Sequence, residues 1–237
     1  MFVPIFPIAG GLPFNDSFLP DTTQRFPLGT KISAADPYWG QGTFLYVKSA
    51  DAILKGSFVT WDESFNAILL PNTANQGFQC GVAMAPSASG TYGWVQVEGR
   101  VVYKTSATVA ADAAIGLTAA GIVGANTAGK QILGVRNRIP ATGTVTANGT
   151  TTNGSAAIET SGYAGFFLGM ALSGTGIPAS TVVAKLDPNG RTIYTGSAIG
   201  TVGDKNATAS GTVTVTGTYT GYGSGVLQTP IQQGAIT

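Results

Sequence analysis

The sequence predicts an all-β protein, and three features predict it. Short runs of alternating or β-branched residues recur along the sequence, and turn residues separate them. Glycine supplies 34 of 237 residues, about double its usual share of roughly 7%. No segment places apolar residues at the 3.6-residue spacing of an amphipathic helix. The expected architecture is a β-barrel or sandwich-like N-terminal body with an extended N-terminal arm, plus a small C-terminal β-domain. The boundaries expected are an arm over 1–40, a body over 41–139 and a small domain over 140–237.

The arm reading rests on prolines at positions 4, 7, 13, 20, 27 and 37. Each lacks an N–H, so the stretch cannot be a central strand or a helix interior. It nevertheless carries Phe2, Ile5, Phe6, Ile8, Leu12, Phe14 and Phe18. A solvated linker has little use for these side chains, so they are the candidate interface residues, buried against a partner or against the body itself. Removal of residues 1–27 is expected to leave the body folded. The apolar start does not read as a signal peptide, because Pro4, Pro7 and Pro13 break the apolar stretch and no basic residue precedes it.

In the body, Phe44–Lys48, Gly56–Trp61, Gly81–Met84 and Tyr92–Gly99 read as strands, with Arg100–Lys104 returning in a hairpin after a turn at Gly99. Ala107–Ala120 is alanine-rich but interrupted by Val, Thr and Gly, so it reads as a loop and then a short strand at Ala114–Leu117, with a short helical turn as the alternative. A weak echo links Tyr46-Val47-Lys48 to Tyr103-Lys104, and Gly77–Val82 to Gly129–Val135, roughly fifty-five residues apart.

Beyond Pro140 tryptophan disappears and Thr, Gly, Ser and Ala dominate. Asn148-Gly149 and Asn153-Gly154 read as turns. Gly211–Tyr219 alternates Val with Thr, giving one apolar and one polar face. A small domain of this kind gains little from a core of its own, so it is expected to project outward or pack on symmetry mates. The three Asn-x-Ser/Thr sequons of this region, at Asn148, Asn153 and Asn206, read as chance in a Thr-rich segment.

Composition excludes several chemistries. There is no histidine, hence no Ser-His-Asp triad, no Cys-His pair and no histidine metal ligand. Cys80 is single and sits among apolar residues, the setting of a buried hydrophobe. Asp62-Glu63 would point to opposite faces of a strand and reads as a solvated turn. Asp187-Pro188-Asn189-Gly190 lacks the alternating acidic ligands of a calcium loop. Trp39, Trp61 and Trp94 read as core or interface anchors. Twelve basic against eleven acidic residues leave a net charge of +1, which gives no nucleic-acid footprint. No stretch of 18 apolar residues suggests a membrane span. No cofactor, no metal and no catalytic residue is expected.

Two resemblances follow from these residues. Tyr46-Val47-Lys48, Gly81-Val82-Ala83, Gly90–Gly99, Ala119–Val123 and Gly134-Val135 resemble the capsid decoration, or head-stabilising, proteins of tailed phages. Leu168–Val183, with Asn153–Ile158 before it and Arg191–Tyr194 after it, is similar to a Gly-Met-x-Val-x-Gly-x-Gly-Ile-Pro-x-x-Thr-x-Val module of virion and surface-associated β-proteins. The resemblance implies a structural, non-enzymatic protein on the outer capsid surface, with the major capsid protein as partner and a homotrimer as assembly. The alternative is a fibre, spike or head-fibre subunit whose C-terminal domain binds a host receptor or glycan.

Overall fold

The computed structural model describes residues 3–4, 19–36, 40–106, 109–139, 142–187 and 190–234. Among the described residues there is no helix, and the fold is all-β. The strands are β1 (Val3–Pro4), β2 (Lys31–Asp36), β3 (Gly40–Ser49), β4 (Phe58–Trp61), β5 (Asn66–Leu69), β6 (Gly81–Ala83), β7 (Tyr92–Lys104), β8 (Ile115–Ala119), β9 (Ile122–Ala125) and β10 (Ile132–Ile139). They continue with β11 (Thr142–Thr151), β12 (Ala157–Thr160), β13 (Ala171–Ser173), β14 (Thr181–Leu186), β15 (Thr192–Gly196), β16 (Gly211–Thr220) and β17 (Tyr222–Gln232). Two compact units emerge, one built on Gly143–Thr220 and one on the sequence before and after it.

The body is a nine-stranded sheet in the order β1-β2-β3-β5-β4-β6-β7-β17-β10, with a further pairing of β3 to β7. That pairing closes a ring, β3–β5–β4–β6–β7–β3. Leu45, Val47, Val59, Ala67, Ala83, Val95 and Val97 come from all five ring strands and form one aliphatic cluster with Ile53. Small side chains suit the narrow interior of so small a ring. The neighbouring residues Phe44, Tyr46, Phe58, Val82 and Trp94 join a second cluster with Phe26, Val101, Tyr103, Ile115, Leu117, Ile132 and Leu227. Both faces of β3 are therefore buried, which explains the unbroken apolar run Phe44-Leu45-Tyr46-Val47. Each such side group contributes about 1.5–3 kcal/mol on burial.

Several sequence expectations need correction here. First, Gly99 is not a hairpin turn: β7 runs through it as one strand of 13 residues. Gly99 has φ +95° and faces Gly42, and a register shift between Thr43 and Phe44 leaves Val97 as an extra residue, so this is a bulge. A Cβ on Gly99 would lie 2.3 Å from the Gln41 carbonyl oxygen, so only glycine fits. The bulge lets β7 pair with β3 along its first half and with β17 along its second.

Second, the small domain ends at Thr220, not at the C-terminus. β17 returns to the body between β7 and β10. Its register slips between Leu133 and Val135, placing Thr229 (φ +47°) and Pro230 in a bulge, where proline costs no ladder hydrogen bond. Third, the body begins before residue 41. Phe26, Ile32 and Ala34 are core residues, and β2 pairs with Val3 and Pro4 of β1. Removing residues 1–27 would therefore take core with it.

The insert is a closed barrel, β11-β12-β15-β14-β13-β16. Val213 and Val215 of β16 are buried while Thr212 and Thr214 are exposed, as the alternation predicts. They join Ile158, Phe166, Met170, Val183 and Ile193, all buried, so this unit has an apolar interior of its own. Asn153-Gly154 is a turn as expected, but Asn148-Gly149 lies inside β11.

Candidate interaction surface

The candidate interface residues Phe2, Ile5, Phe6, Ile8, Leu12, Phe14 and Phe18 lie outside the described residues. The structure does show where the segment leaving them is fastened. Asp21, following Pro20, exchanges both backbone hydrogen bonds with Tyr92, N···O 2.8 Å each way. Its carboxylate accepts from the Tyr46 hydroxyl at 2.9 Å and pairs with Arg25 Nε at 2.8 Å. The Arg25 backbone N–H donates to the same hydroxyl at 3.2 Å. Asp21 is buried, so these partners offset the loss of its hydration.

Around this clamp lie four aromatic rings. Phe26 meets Tyr46 and Trp94 edge-on at centroid distances of 5.2 and 5.1 Å, and Tyr92 stacks on Tyr46 at 6.3 Å. Such pairs add about 0.5–1.5 kcal/mol each beyond burial. Burial, with smaller contributions from Asp21, pushes the Tyr46 hydroxyl's pKa well above the usual tyrosine value. The hydroxyl stays a donor to Asp21 across ordinary pH.

A second feature is a ledge at the far end of β17. Ile231 faces Leu133 across the ladder and Gln79 on its other side. Leu133 and Ile231 are 43% and 41% exposed, and Phe78 is 38% exposed. The neighbours Gln76, Gly77, Gln79, Gln131, Gln233 and Gly234 carry no charge. The echoed segments at Gly77 and Gly129 thus flank the same strand, since Gln79 bridges Ile231 and Ile132 pairs with Gln232.

The remaining candidates fall as follows. Cys80 is buried, and burial pushes its thiol up to about 12, which makes it a poor nucleophile. The Asp62 carboxylate accepts from the backbone N–H of Ser64 and Asn66 and from the Asn66 carboxamide, which holds its pKa below the usual range. It closes a turn. Trp94 is core, Trp61 packs against the ring interior, and Trp39 lies outside the described residues. Asp187 is described but Pro188 and Asn189 are not. Among the described residues no three of His, Cys, Asp and Glu gather. The sequence reading missed Asp21, Arg25 and Tyr46. The only local signal was a charged pair four residues apart, Asp21 and Arg25, in an otherwise uncharged stretch over 17–30.

No protein-family model, curated protein or solved structure matches this protein.

Proposed function

We propose that this protein is a structural component of a tailed-phage particle that binds and stabilises the outer capsid surface through its N-terminal segment. The observation that carries the reading is the clamp of Asp21, Arg25 and Tyr46. It fastens the root of a segment in which residues 1–15 hold no charged group but six large apolar ones besides Met1 and Val3: Phe2, Ile5, Phe6, Ile8, Leu12 and Phe14. A fastened root lowers the entropy lost when such a segment settles on a partner. The low overall charge and the uncharged ledge at Leu133 and Ile231 suit a protein packed among neighbours. The major capsid protein is the proposed partner and a homotrimer the proposed assembly, both from the family resemblance.

The test is co-sedimentation with capsids lacking this protein. Removing residues 1–18 takes the two-residue edge strand β1 but keeps Asp21, Phe26 and β2, so the body is expected to stay folded while binding falls. Undiminished binding by the shortened protein would overturn the role of the segment. The second reading, a receptor- or glycan-binding head fibre, draws support from the insert's separate interior. Binding of the isolated insert to host cells, with no binding of the body to capsids, would favour it.

A further inference from the structure

Two Asn-Gly pairs lie among the described residues, Asn148-Gly149 and Asn153-Gly154, and both asparagines are exposed. We propose that Asn153 is a site of spontaneous deamidation and that the fold protects Asn148. The reaction needs only water. The Gly154 backbone nitrogen, having lost its proton to hydroxide, attacks Asn153 Cγ. A C–N bond forms there, the bond from Cγ to Nδ2 breaks, and ammonia leaves a five-membered succinimide. Water then opens either carbonyl of the ring. The product is aspartate, or isoaspartate in which the backbone runs through Cβ and Cγ. A following glycine favours the attack because no Cβ obstructs it.

The two glycines differ. Gly149 is buried in β11 opposite Thr160, and a Cβ there would meet Glu159 O, Ile158 Cγ2 and Val215 Cγ2, each at 3.1 Å. Turning its nitrogen toward Asn148 Cγ requires β11 to leave the barrel wall. Gly154 is exposed with φ +79°, and no atom lies within 4 Å of its Cβ position. It sits in a turn closed by the Ser155 N–H donating to Thr152 O at 2.9 Å, and its own N–H donates to Ala207 O at 2.8 Å. Local opening of that turn frees Gly154, whereas Gly149 waits on opening of the barrel, a rarer event.

The consequences are defined. One new carboxylate takes the formal net charge from +1 to zero. The isoaspartate form also lengthens the backbone by one atom where Asn153 N–H meets Ser210 Oγ at 2.9 Å and Ala207 N–H meets Ser155 O at 2.8 Å. These ties between the β11–β12 turn and the approach to β16 loosen with age.

The experiment incubates the full-length protein in warm, mildly alkaline buffer made with oxygen-18 water. Mass spectrometry with fragmentation between residues 148 and 153 then locates the label. In the folded protein label enters at Asn153, with Asn148 slower by a factor on the order of ten or more. After denaturation the two rates converge. The Asn153→Gln variant, whose longer carboxamide arm cannot close the five-membered ring readily, loses the acidic charge variant labelled at residue 153, which fragmentation distinguishes from any arising at the third Asn-Gly pair, Asn189-Gly190. Label at Asn148 as fast as at Asn153 in the folded protein, no conversion at either, or an unchanged acidic variant in Asn153→Gln would each overturn the proposal.

Discussion

The body and the insert each contain a closed ring of strands, yet outside the body's narrow aliphatic ring the two build their cores differently. The body relies on large rings: Phe44, Tyr46, Phe58 and Tyr103 are almost wholly buried, with Trp94 and Phe26 beside them. The insert has few aromatics and buries threonines, namely Thr151, Thr160, Thr181, Thr192 and Thr195. Their hydroxyls are satisfied. Thr160 donates to Arg191 O at 2.6 Å, Thr181 to Pro178 O at 2.6 Å, and Thr195 reaches both Ala156 O and Lys205 O. A buried hydroxyl without a partner would cost about 1–3 kcal/mol. A Thr-rich sequence can thus build an interior when backbone carbonyls stand where the hydroxyls point.

The largest test of this separation is where the protein tolerates a cut. A fragment ending at residue 139 lacks β17, and with it the partner of β10 and of the second half of β7. It should show no cooperative thermal transition by circular dichroism. Excising 143–220 and joining 142 to 221 should leave a folded body, because Ile139 already pairs with Ser224 and the join makes a hairpin. A folded 1–139 fragment, or an unfolded excised protein, would refute the division.

Single substitutions sharpen it. Phe58→Ala removes a fully buried ring packed 5.7 Å from Tyr103 and should destabilise the body by about 3–5 kcal/mol. Ile193→Ala should destabilise the insert alone, by about 2–5 kcal/mol. Calorimetry of each variant should show one transition moving and the other still; two transitions that always move together would merge the units. Thr195→Val keeps the shape and removes the hydroxyl, for a loss of about 1–2 kcal/mol in the insert's transition. No change would mean that its carbonyl partners find water.

How much of this could be read from the sequence depends on whether the signal was local. Val213 and Val215 alternate with threonine, so β16 was legible. Gly99 was visible, but glycine marks turns and bulges alike, and only the opposing Gly42 distinguishes them. β17 was hidden by Gly223, Gly225 and Pro230, residues that usually break strands. Gly225 is required because a Cβ there would meet Arg136 O at 2.5 Å, a neighbour some ninety residues away in sequence. The insert's interior could not be foreseen from one-sided strands, because closure creates it. The clamp was illegible for a related reason: nothing near Asp21 points to Tyr46.

A further effect is expected at alkaline pH. Burial raises the pKa of Tyr103 well above the ordinary value near 10, and the hydroxyl donates to Asn137 Oδ1. The unfolded state therefore loses this proton first. The stabilisation is intact below pH about 10 and is lost as pH rises through the folded-state value. Urea midpoints of the body measured from neutral to strongly alkaline pH should fall, and fall less steeply in Tyr103→Phe. A parallel decline in both proteins would assign the effect elsewhere.

The placement of the insert also decides how the protein answers a mechanical load. Its two connections leave from one end of the β10–β17 ladder, beside the Ile139–Ser224 pair. Tension transmitted through the insert acts on that end and opens the ladder one hydrogen bond at a time, instead of shearing all of them together. β17 is also held along its other side by β7, whereas β10 is the last strand of its sheet. Under load β10 should part from β17 before the five-strand ring is reached, resisted by the ties of Asn137 to Asp112, Val109 and Ala110.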